Sequence, residues 1–369
     1  MKKIPFRTYT ILAASAWLIV VSLLNVFAEK PDVSWNENRT LQEMPSTQPA
    51  TLFSGNFDEQ FEKWFSDHFV NRDKWIELNA IARKATGAIE NNGVYFAQDG
   101  RLVQQFQTVN ETTLQANIDI VNAFCTDHSV KANIFLVPTA AWGAANELPV
   151  GASDVDQKAL LQEIKQKFPD QTFIDYTELA SPSPNLYYRT DHHWNEKGAY
   201  QGYVAIASQV LNKIPNAFIY TEVSDSFEGT MYSRSGAFWV SPDPIYEIDP
   251  DGSDLQVSVS YDDGDTVTDS LYSTDRLSTK DQYAYYVDGN HAYVDIKTNM
   301  NTNKKAVIVK DSYAHILMPF LATEYSEIQM VDLRYYRGNV SDLLDDQTDL
   351  YFIYSLDNFC TDPNLAFLN

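Results

Sequence analysis

Cysteine is scarce in this 369-residue sequence, which contains only Cys125 and Cys360. Two cysteines are too few for a disulfide scaffold, and their wide separation does not match the close spacing of ligands in zinc sites. One bridge between them and a pair of buried free thiols both remain open. The composition therefore excludes a fold that depends on several disulfides.

Basic residues are also few. The chain has 27 Lys and Arg against 50 Asp and Glu, which gives a net charge of −23 at pH 7. Such a charge repels polyanions, so no nucleic-acid partner is expected. No internal repeat is present, but 44% hydrophobic and 13% aromatic residues are too many for a disordered chain. We therefore expect a folded protein with a large core.

Long apolar runs are limited to one, at residues 8–28. As a helix this run is long enough to cross a hydrocarbon layer of about 30 Å. Basic residues precede it, so we expect the N-terminus in the cytoplasm and the body of the protein outside. We assign residues 1–29 to a signal anchor in the membrane, or to a signal peptide cleaved near Ala28, in which case the protein is secreted.

The rest of the chain divides into a tether and an α/β domain. Residues 30–56 lack a steady hydrophobic period and are rich in polar residues and proline, which is typical of a tether. Apolar residues at helical spacing predict two helices within 57–88, and helices then alternate with strands. Short alternating strands indicate a β-rich insertion at about 214–303 within a domain spanning 57–369.

The first candidate site is the run Asp191-His192-His193, just before a helix predicted over 195–213 with Asn195 as its N-cap. In extended backbone, Asp191 and His193 point to the same face while His192 points elsewhere. A carboxylate beside an imidazole fixes its tautomer and stabilises the imidazolium formed in nucleophilic catalysis. No further ligand follows at metal spacing, so no metal site is predicted. A metal held by Asp191, His193 and a remote residue, and a purely structural polar cap, are the alternatives.

The second candidate is Ser312, which follows an apolar strand predicted over 305–309. At the carboxyl end of a sheet strand, its hydroxyl would face the edge where ligands bind, and the amides of the next helix could stabilise an oxyanion. Asp-Ser at a helix start is also a common N-cap. Its combination with Asp191 and His193 favours a Ser-His-Asp triad.

Several dispersed motifs, found in one order, resemble those of the DHHW family, whose members are similar to alginate O-acetylation proteins and SGNH hydrolases. The motifs are FSDHFVNR at 65–72, NGVY at 92–95, VPT at 137–139, DHHW at 191–194, KDQY at 280–283, GN at 289–290, KDSY at 310–313 and VDLRYY at 331–336. The resemblance implies an SGNH-like doubly wound sheet with Ser312 as nucleophile, His193 as base and Asp191 as the orienting carboxylate. The sequence departs from ordinary SGNH enzymes in placing Asp-x-His before the serine, and in Lys310 where they usually carry glycine.

Four further residues are candidates for oxyanion or substrate contacts: Thr139, His192, Trp194 and Tyr313. We expect Thr139, after the strand predicted at 132–137, to form the oxyanion hole together with the amides of Ser312 and Tyr313. The rings of Trp194 and Tyr313 would suit stacking on sugars.

The resemblance implies an extracytoplasmic serine O-acyltransferase or esterase that acts on cell-surface or secreted polysaccharide without a cofactor. Its expected partners are the polysaccharide acceptor and a multi-pass membrane protein that delivers the acyl group. One alternative is a catalytically inactive glycan-binding or assembly protein of the cell envelope, which Lys310 favours. Another is a metal-dependent hydrolase that uses Asp191 and His193. An acyl-enzyme on Ser312 distinguishes the first function from the other two.

Overall fold

The computed structural model of the protein describes residues 6–36, 39–48, 56–252, 254–262, 264 and 266–369. The chain forms two compact units, which are described separately. The first comprises Met1–Gly87 and Gly236–Phe238, and the second comprises Ala88–Ser235 and Trp239–Asn369. Residues 37–38 and 49–55 of the predicted tether lie outside the described residues, so its boundaries stay a prediction.

The described part of the first unit contains three helices and a short antiparallel hairpin. They are α1 (Phe6–Phe27), β1 (Val33–Ser34), β2 (Arg39–Thr40), α2 (Asn56–Asp67) and α3 (Arg72–Ala85). Within α1, the span Arg7–Phe27 contains an 18-residue window with a mean hydropathy of 2.1, so it is long and apolar enough to cross a membrane. The predicted α/β domain of residues 57–369 includes α2 and α3, whereas in the structure both helices belong to the first unit, where the corner between them is hydrogen-bonded to Asn25 and Lys30.

The second unit is built on an eight-stranded sheet with two smaller antiparallel sheets beside it. Its strands are β3 (Glu90–Asn91), β4 (Val94–Phe96), β5 (Leu102–Gln104), β6 (Ala132–Val137), β7 (Thr172–Phe173), β8 (Phe218–Phe227), β9 (Asp243–Pro250), β10 (Val257–Tyr261), β11 (Thr266–Thr268), β12 (Tyr293–Thr298), β13 (Lys305–Lys310), β14 (Glu327–Val331) and β15 (Thr348–Ser355). The main sheet has the order β11-β10-β12-β14-β13-β15-β6-β7. The strands from β14 to β7 are parallel, and β12, β10 and β11 add antiparallel pairs.

The predicted β-rich insertion at 214–303 is only partly separate from the main sheet. Its strands β10, β11 and β12 extend that sheet through the antiparallel pair of β12 and β14, while β8 and β9 form their own hairpin. Local alternation in the sequence predicts such strands, but the partner of β12 lies beyond the insertion and beyond β13. The pairing therefore depends on contacts that the local pattern does not contain.

Helices cover both faces of the main sheet. They are α4 (Glu111–Asp127), α5 (Ala140–Gly143), α6 (Gln157–Gln166), α7 (Tyr176–Leu179), α8 (Glu196–Gln209), α9 (Thr230–Ser235), α10 (Met318–Leu321) and α11 (Leu356–Thr361). On β13, Ala306 and Ile308 face the core shared with α8, whereas Val307 and Val309 face the core shared with α4 and α6. Strands buried on both faces read as continuous apolar runs. The predicted α/β class is confirmed.

Both cysteines are free thiols buried in the core on the α4 side of the sheet. Burial raises the pKa of Cys125 to about 11 and that of Cys360 to about 12. Of the two alternatives that the sequence leaves open, the structure contains the pair of thiols.

Candidate active site

Ser312 lies directly after β13 and its single-residue link Asp311, at the start of a 3-10 helix. The buried carboxylate of Asp311 accepts hydrogen bonds from the backbone N–H of Tyr313 at 2.9 Å and from the backbone N–H of Ser355 at 2.8 Å. Ser355 ends β15, the neighbouring parallel strand. Burial raises the pKa of Asp311, although these hydrogen bonds oppose the rise. Asp311 thus attaches the turn that carries Ser312 to the end of the neighbouring strand β15.

The loop with the Asp191-His192-His193 run is anchored by the residue that follows it. The side chain of Trp194 has no exposed surface and packs edge-on against Phe135 of β6. Its indole N–H donates a 2.9 Å hydrogen bond to the carbonyl oxygen of Tyr313. Asn195 then caps α8 through its side chain, as the sequence predicts. The loop is therefore attached to the core and to the segment that follows Ser312.

These two segments bring Asp191, His193 and Ser312 into one hydrogen-bonded line. The distance from His193 Nε2 to Ser312 Oγ is 2.7 Å, and that from His193 Nδ1 to Asp191 Oδ1 is 2.5 Å. An ionised carboxylate accepts only, so Nδ1 carries the proton that it donates to Asp191. Nε2 is then left to accept the proton of the Ser312 hydroxyl. This is the arrangement that a serine nucleophile with a histidine base requires.

The second carboxylate oxygen of Asp191 is held by α9, which sequence reasoning missed. Thr230 donates to Oδ2 through its backbone N–H at 2.7 Å and its hydroxyl at 2.8 Å. A Cβ on the preceding Gly229 would lie 2.3 Å from the Cβ of Asp191, so glycine allows this close approach. No local signal marks Gly229 and Thr230, because their role depends on where β8 and α9 place them.

Tyr283 is a second site residue that sequence reasoning missed in this role. Its ring stacks on that of His193 with centroids 3.8 Å apart and planes 9° from parallel. Its hydroxyl donates a 3.1 Å hydrogen bond to the carbonyl oxygen of Ser312. Tyr283 lies within the KDQY motif, which supports the family resemblance but does not indicate this contact. One buried tyrosine thus touches both the imidazole and the segment that carries the serine.

The electrostatics of the loop favour a neutral His193. Burial, followed by the nearby His192, lowers the pKa of His193 to about 4, against the raising effect of Asp191. Burial also disfavours the charged form of His192, but the Asp191 carboxylate outweighs it and raises the pKa of His192. The pKa of Asp191 lies well below its usual range, because both histidines favour its charged form more than burial disfavours it. His193 is therefore a free base at neutral pH.

A model of the family described as DHHW protein matches residues 153–331 of this chain, a range that contains the histidine loop and Ser312. The predicted resemblance to the DHHW family is confirmed. No curated protein matches the chain.

Solved structures of similar proteins share the fold. A DHHW family protein from Eubacterium siraeum superposes with a TM-score of 0.64 at 22% identity, over 76% of this chain and 96% of that chain. PatB1 from Bacillus cereus, described with a sulfonyl adduct, superposes with a TM-score of 0.60 at 20% identity, over 75% of this chain and 97% of that chain. The O-acetyltransferase domain of AlgJ from Pseudomonas putida reaches a TM-score of 0.47 at 14% identity, over 75% of this chain and 95% of that chain. The first two superpositions show a shared fold, and identities this low support nothing beyond the fold.

The residues predicted to contact the oxyanion or substrate are mostly committed elsewhere. Thr139 is buried, and its backbone N–H and hydroxyl both pair with the side chain of Gln157 at 2.8 Å. The Tyr313 amide donates to Asp311, and the Tyr313 ring is buried with its hydroxyl on the carbonyl oxygen of His192. Trp194 is fully buried and so cannot stack on a sugar. The prediction that these three residues contact the oxyanion or the substrate is therefore wrong. They support the fold instead, because amphipathic aromatic rings and polar groups at strand ends also pack in cores.

His192 remains at the surface of the site. Its side chain is 30% exposed, and its Nδ1 lies 2.7 Å from the hydroxyl oxygen of Thr230. That hydroxyl donates to Asp191, so His192 is the donor to it. Among the four candidates, His192 alone combines solvent exposure with contact to the triad.

Lys310, the departure from the SGNH pattern, is engaged in a buried polar network. Its ammonium group lies 3.1 Å from Asp332 Oδ2 and 2.8 Å from His315 Nε2. Burial lowers the pKa of Lys310, opposed by the Asp332 carboxylate, which also binds Arg334. The hydrogen bond between Ser312 and His193 forms with this lysine in place, so Lys310 does not disrupt the triad geometry.

Asp191, His192 and His193 are close enough together to ligate a cation. Both oxygens of Asp191 already accept N–H or O–H hydrogen bonds, and His193 Nδ1 donates to one of them. A metal ion on Asp191 would have to displace these donors, and His193 could bind it through Nδ1 only after that nitrogen lost its proton. The donor set therefore fits a proton-transfer triad better than a metal centre.

Proposed function

We propose that this protein is an extracytoplasmic serine O-acyltransferase or esterase that acts on cell-surface or secreted polysaccharide. The observation that carries the proposal is the hydrogen-bonded line from Asp191 through His193 to Ser312, at 2.5 and 2.7 Å. The fold shared with the DHHW family protein and PatB1 supports it. The sulfonyl adduct of PatB1 adds support, because such adducts form when a protein nucleophile attacks a sulfonyl reagent.

In the proposed reaction, Ser312 Oγ attacks the carbonyl carbon of an acyl donor while His193 Nε2 takes the hydroxyl proton. His193 returns this proton to the leaving alcohol, and an acyl ester of Ser312 remains. A sugar hydroxyl then attacks this ester, with His193 again acting as base, and Ser312 regains its proton. Water in place of the sugar gives the esterase reaction. Asp191 keeps His193 in the required tautomer throughout and stabilises its charged form.

The developing oxyanion needs a nearby hydrogen-bond donor. Since the amides of Thr139 and Tyr313 are committed to other acceptors, we assign this role to the backbone N–H of Ser312, which opens the 3-10 helix. The turn held by Asp311 would keep that N–H in place without reorganisation during the reaction.

The proposed location is supported by α1, because its largely apolar span Arg7–Phe27 could serve as a signal anchor or be removed as a signal peptide. In the anchored form the catalytic unit would lie outside the cell beside its polysaccharide. An acyl donor from the cytoplasm would then need a multi-pass membrane protein to deliver it.

Intact-mass spectrometry of the full chain in detergent, with an activated acetyl ester or a sulfonyl fluoride, tests the proposal. We expect one acetyl or sulfonyl adduct on the wild type, none on Ser312→Ala, and slower acetyl turnover in His193→Ala. Ser208→Ala is a matched control, because the Ser208 hydroxyl is exposed and bonds within α8. Absence of any adduct with every reagent would favour a binding or assembly protein. Adduct-free turnover that a chelator abolishes would favour a metal-dependent hydrolase.

A further inference from the structure

A continuous row of aromatic rings runs along α2 and into α3. It consists of Phe57, Phe61, Phe65, Phe69 and Trp75, and we call it the aromatic stripe. Successive ring centroids are 5.9, 6.4, 5.7 and 6.3 Å apart. The spacing of the first three follows the repeat of four residues that aligns side chains on one helix face. Neighbouring rings therefore form one surface instead of isolated contacts.

This surface is exposed. Phe61, Phe65 and Trp75, together with Leu78 and Ile81 on α3, are between 37% and 52% exposed, whereas Ala80 is the buried residue of α3. Single exposed apolar residues are ordinary, but a contiguous row of large ones indicates a binding surface. The triad does not use these residues, and the sequence analysis identifies them only as helix-forming.

The corner between α2 and α3 is bonded to the last turn of α1. The side-chain oxygen of Asn25 accepts a 2.9 Å hydrogen bond from the backbone N–H of Val70. Lys30 bridges the same two places, since its ammonium group donates to the carbonyl oxygens of Asn25 at 2.9 Å and His68 at 3.0 Å. Asn25 is itself only 8% exposed. The helix pair is thereby held at the end of the apolar segment.

We propose that the aromatic stripe is an interfacial surface that lies against the outer leaflet of the membrane that α1 crosses. A bilayer surrounding α1 would end near Asn25, at the level of the corner that carries Phe69 and Val70. Aromatic side chains are enriched at this level of a membrane, and helices with one apolar face lie in the plane of the interface. The inference requires α1 to stay in the membrane and does not depend on the chemistry of Ser312.

The charges of this segment point to apolar burial as the driving force. Residues 56–87 contain five Lys and Arg and six Asp and Glu, so the segment is nearly neutral. Attraction to anionic lipids is therefore weak, and the contact should be insensitive to salt. A protein partner could also cover an apolar face, but the hydrogen bonds to Asn25 favour the bilayer because they keep the stripe beside it.

Spin labels test this proposal on the full chain in nanodiscs whose lipids are phosphatidylcholine and phosphatidylglycerol, with no partner protein added. One label is placed by Phe65→Cys on the stripe, and its matched control by Lys63→Cys, about 200° around the same helix. Leu78→Cys places a further label among the exposed apolar side chains of α3. Cys125 and Cys360 are buried and should not take the label. Power saturation then compares collisions with oxygen, which dissolves in lipid, and with a neutral nickel chelate, which stays in water.

We expect a severalfold higher ratio of oxygen to nickel accessibility at positions 65 and 78 than at 63, unchanged by added salt. Equal, water-like ratios at all three positions would overturn the proposal and leave a protein partner as the better interpretation of the stripe. Because serine labelling is measured separately, failure here would not bear on the triad.

Discussion

An Asp191→Asn substitution should remove most acyl-transfer activity while barely changing the shape of the side chain. Both oxygens of Asp191 accept hydrogen bonds, Oδ1 from His193 and Oδ2 from Thr230. Asparagine offers one acceptor and one donor, so one side must face the wrong group. Each side presents a fixed backbone N–H, but that of Thr230 is closer, at 2.7 Å against 3.0 Å for that of His193, so the amide oxygen should face Thr230 and the amide nitrogen should face His193.

His193 can then pair with the amide only by accepting at Nδ1, which moves its proton to Nε2. An Nε2–H cannot take the proton of Ser312. A wrong histidine tautomer of this kind costs about 10⁴-fold in rate, or roughly 5 kcal/mol of transition-state stabilisation. The buried backbone N–H of His193 also loses its acceptor, which should lower the free energy of unfolding by about 1–3 kcal/mol.

The assay is the rate of acetyl-enzyme formation by rapid-mixing mass spectrometry, with unfolding in urea measured alongside. Asp175→Asn is the matched control, because Asp175 is as buried as Asp191 but caps α7. The Asp175→Asn variant should be less stable than the wild type but should keep normal activity per folded molecule. A rate for Asp191→Asn within tenfold of the wild type, in folded protein, would refute the tautomer argument.

Three further perturbations test other parts of the site. Burial is the main cause of the low pKa of His193, and the positive charge of His192 is the second. Replacing His192 by Gln removes that charge and should raise the pKa of His193. Since neutral His193 is the base and activity falls as pH drops through its pKa of about 4, the acid limb of kcat/KM should move to higher pH; an unmoved limb would contradict this coupling. Tyr283→Phe should keep most of kcat, whereas Tyr283→Leu should lower kcat about tenfold, because only the leucine variant loses the ring that stacks on His193. Thermal unfolding of both variants checks that they are folded. Equal kcat values would argue against a positioning role for Tyr283. Gly229→Ala should lower the free energy of unfolding by about 1–3 kcal/mol and slow acetylation, because its Cβ would overlap Asp191; a urea curve and acetylation rate like the wild type's would show that the loop adapts.

Local sequence patterns predict a good part of the fold. The apolar run at 8–28, the break between α2 and α3, the cap at Asn195 and the alternation of helices and strands all depend on short-range chemistry. The α/β class follows from that alternation. The pairing of β12 with β14 does not, because strand partners are chosen by contacts between distant segments.

The site divides in the same way. The residue types Asp191, His193 and Ser312 stand out in the sequence because their chemistry is recognisable in short motifs, although their catalytic role stays a prediction. Their meeting was decided by tertiary structure, which brings His193 to Ser312 across 119 residues of chain.

The residues that support the triad can be recognised only in the folded structure. Nothing in the sequence indicates the contacts of Thr230 and Tyr283, although Tyr283 belongs to the KDQY motif, because a hydroxyl or a phenol supports the triad only where packing places it against Asp191 or His193. Trp194 shows the converse, because an amphipathic ring suits a sugar or a core equally well in sequence. Because the fold buries Trp194 completely, its ring packs in the core.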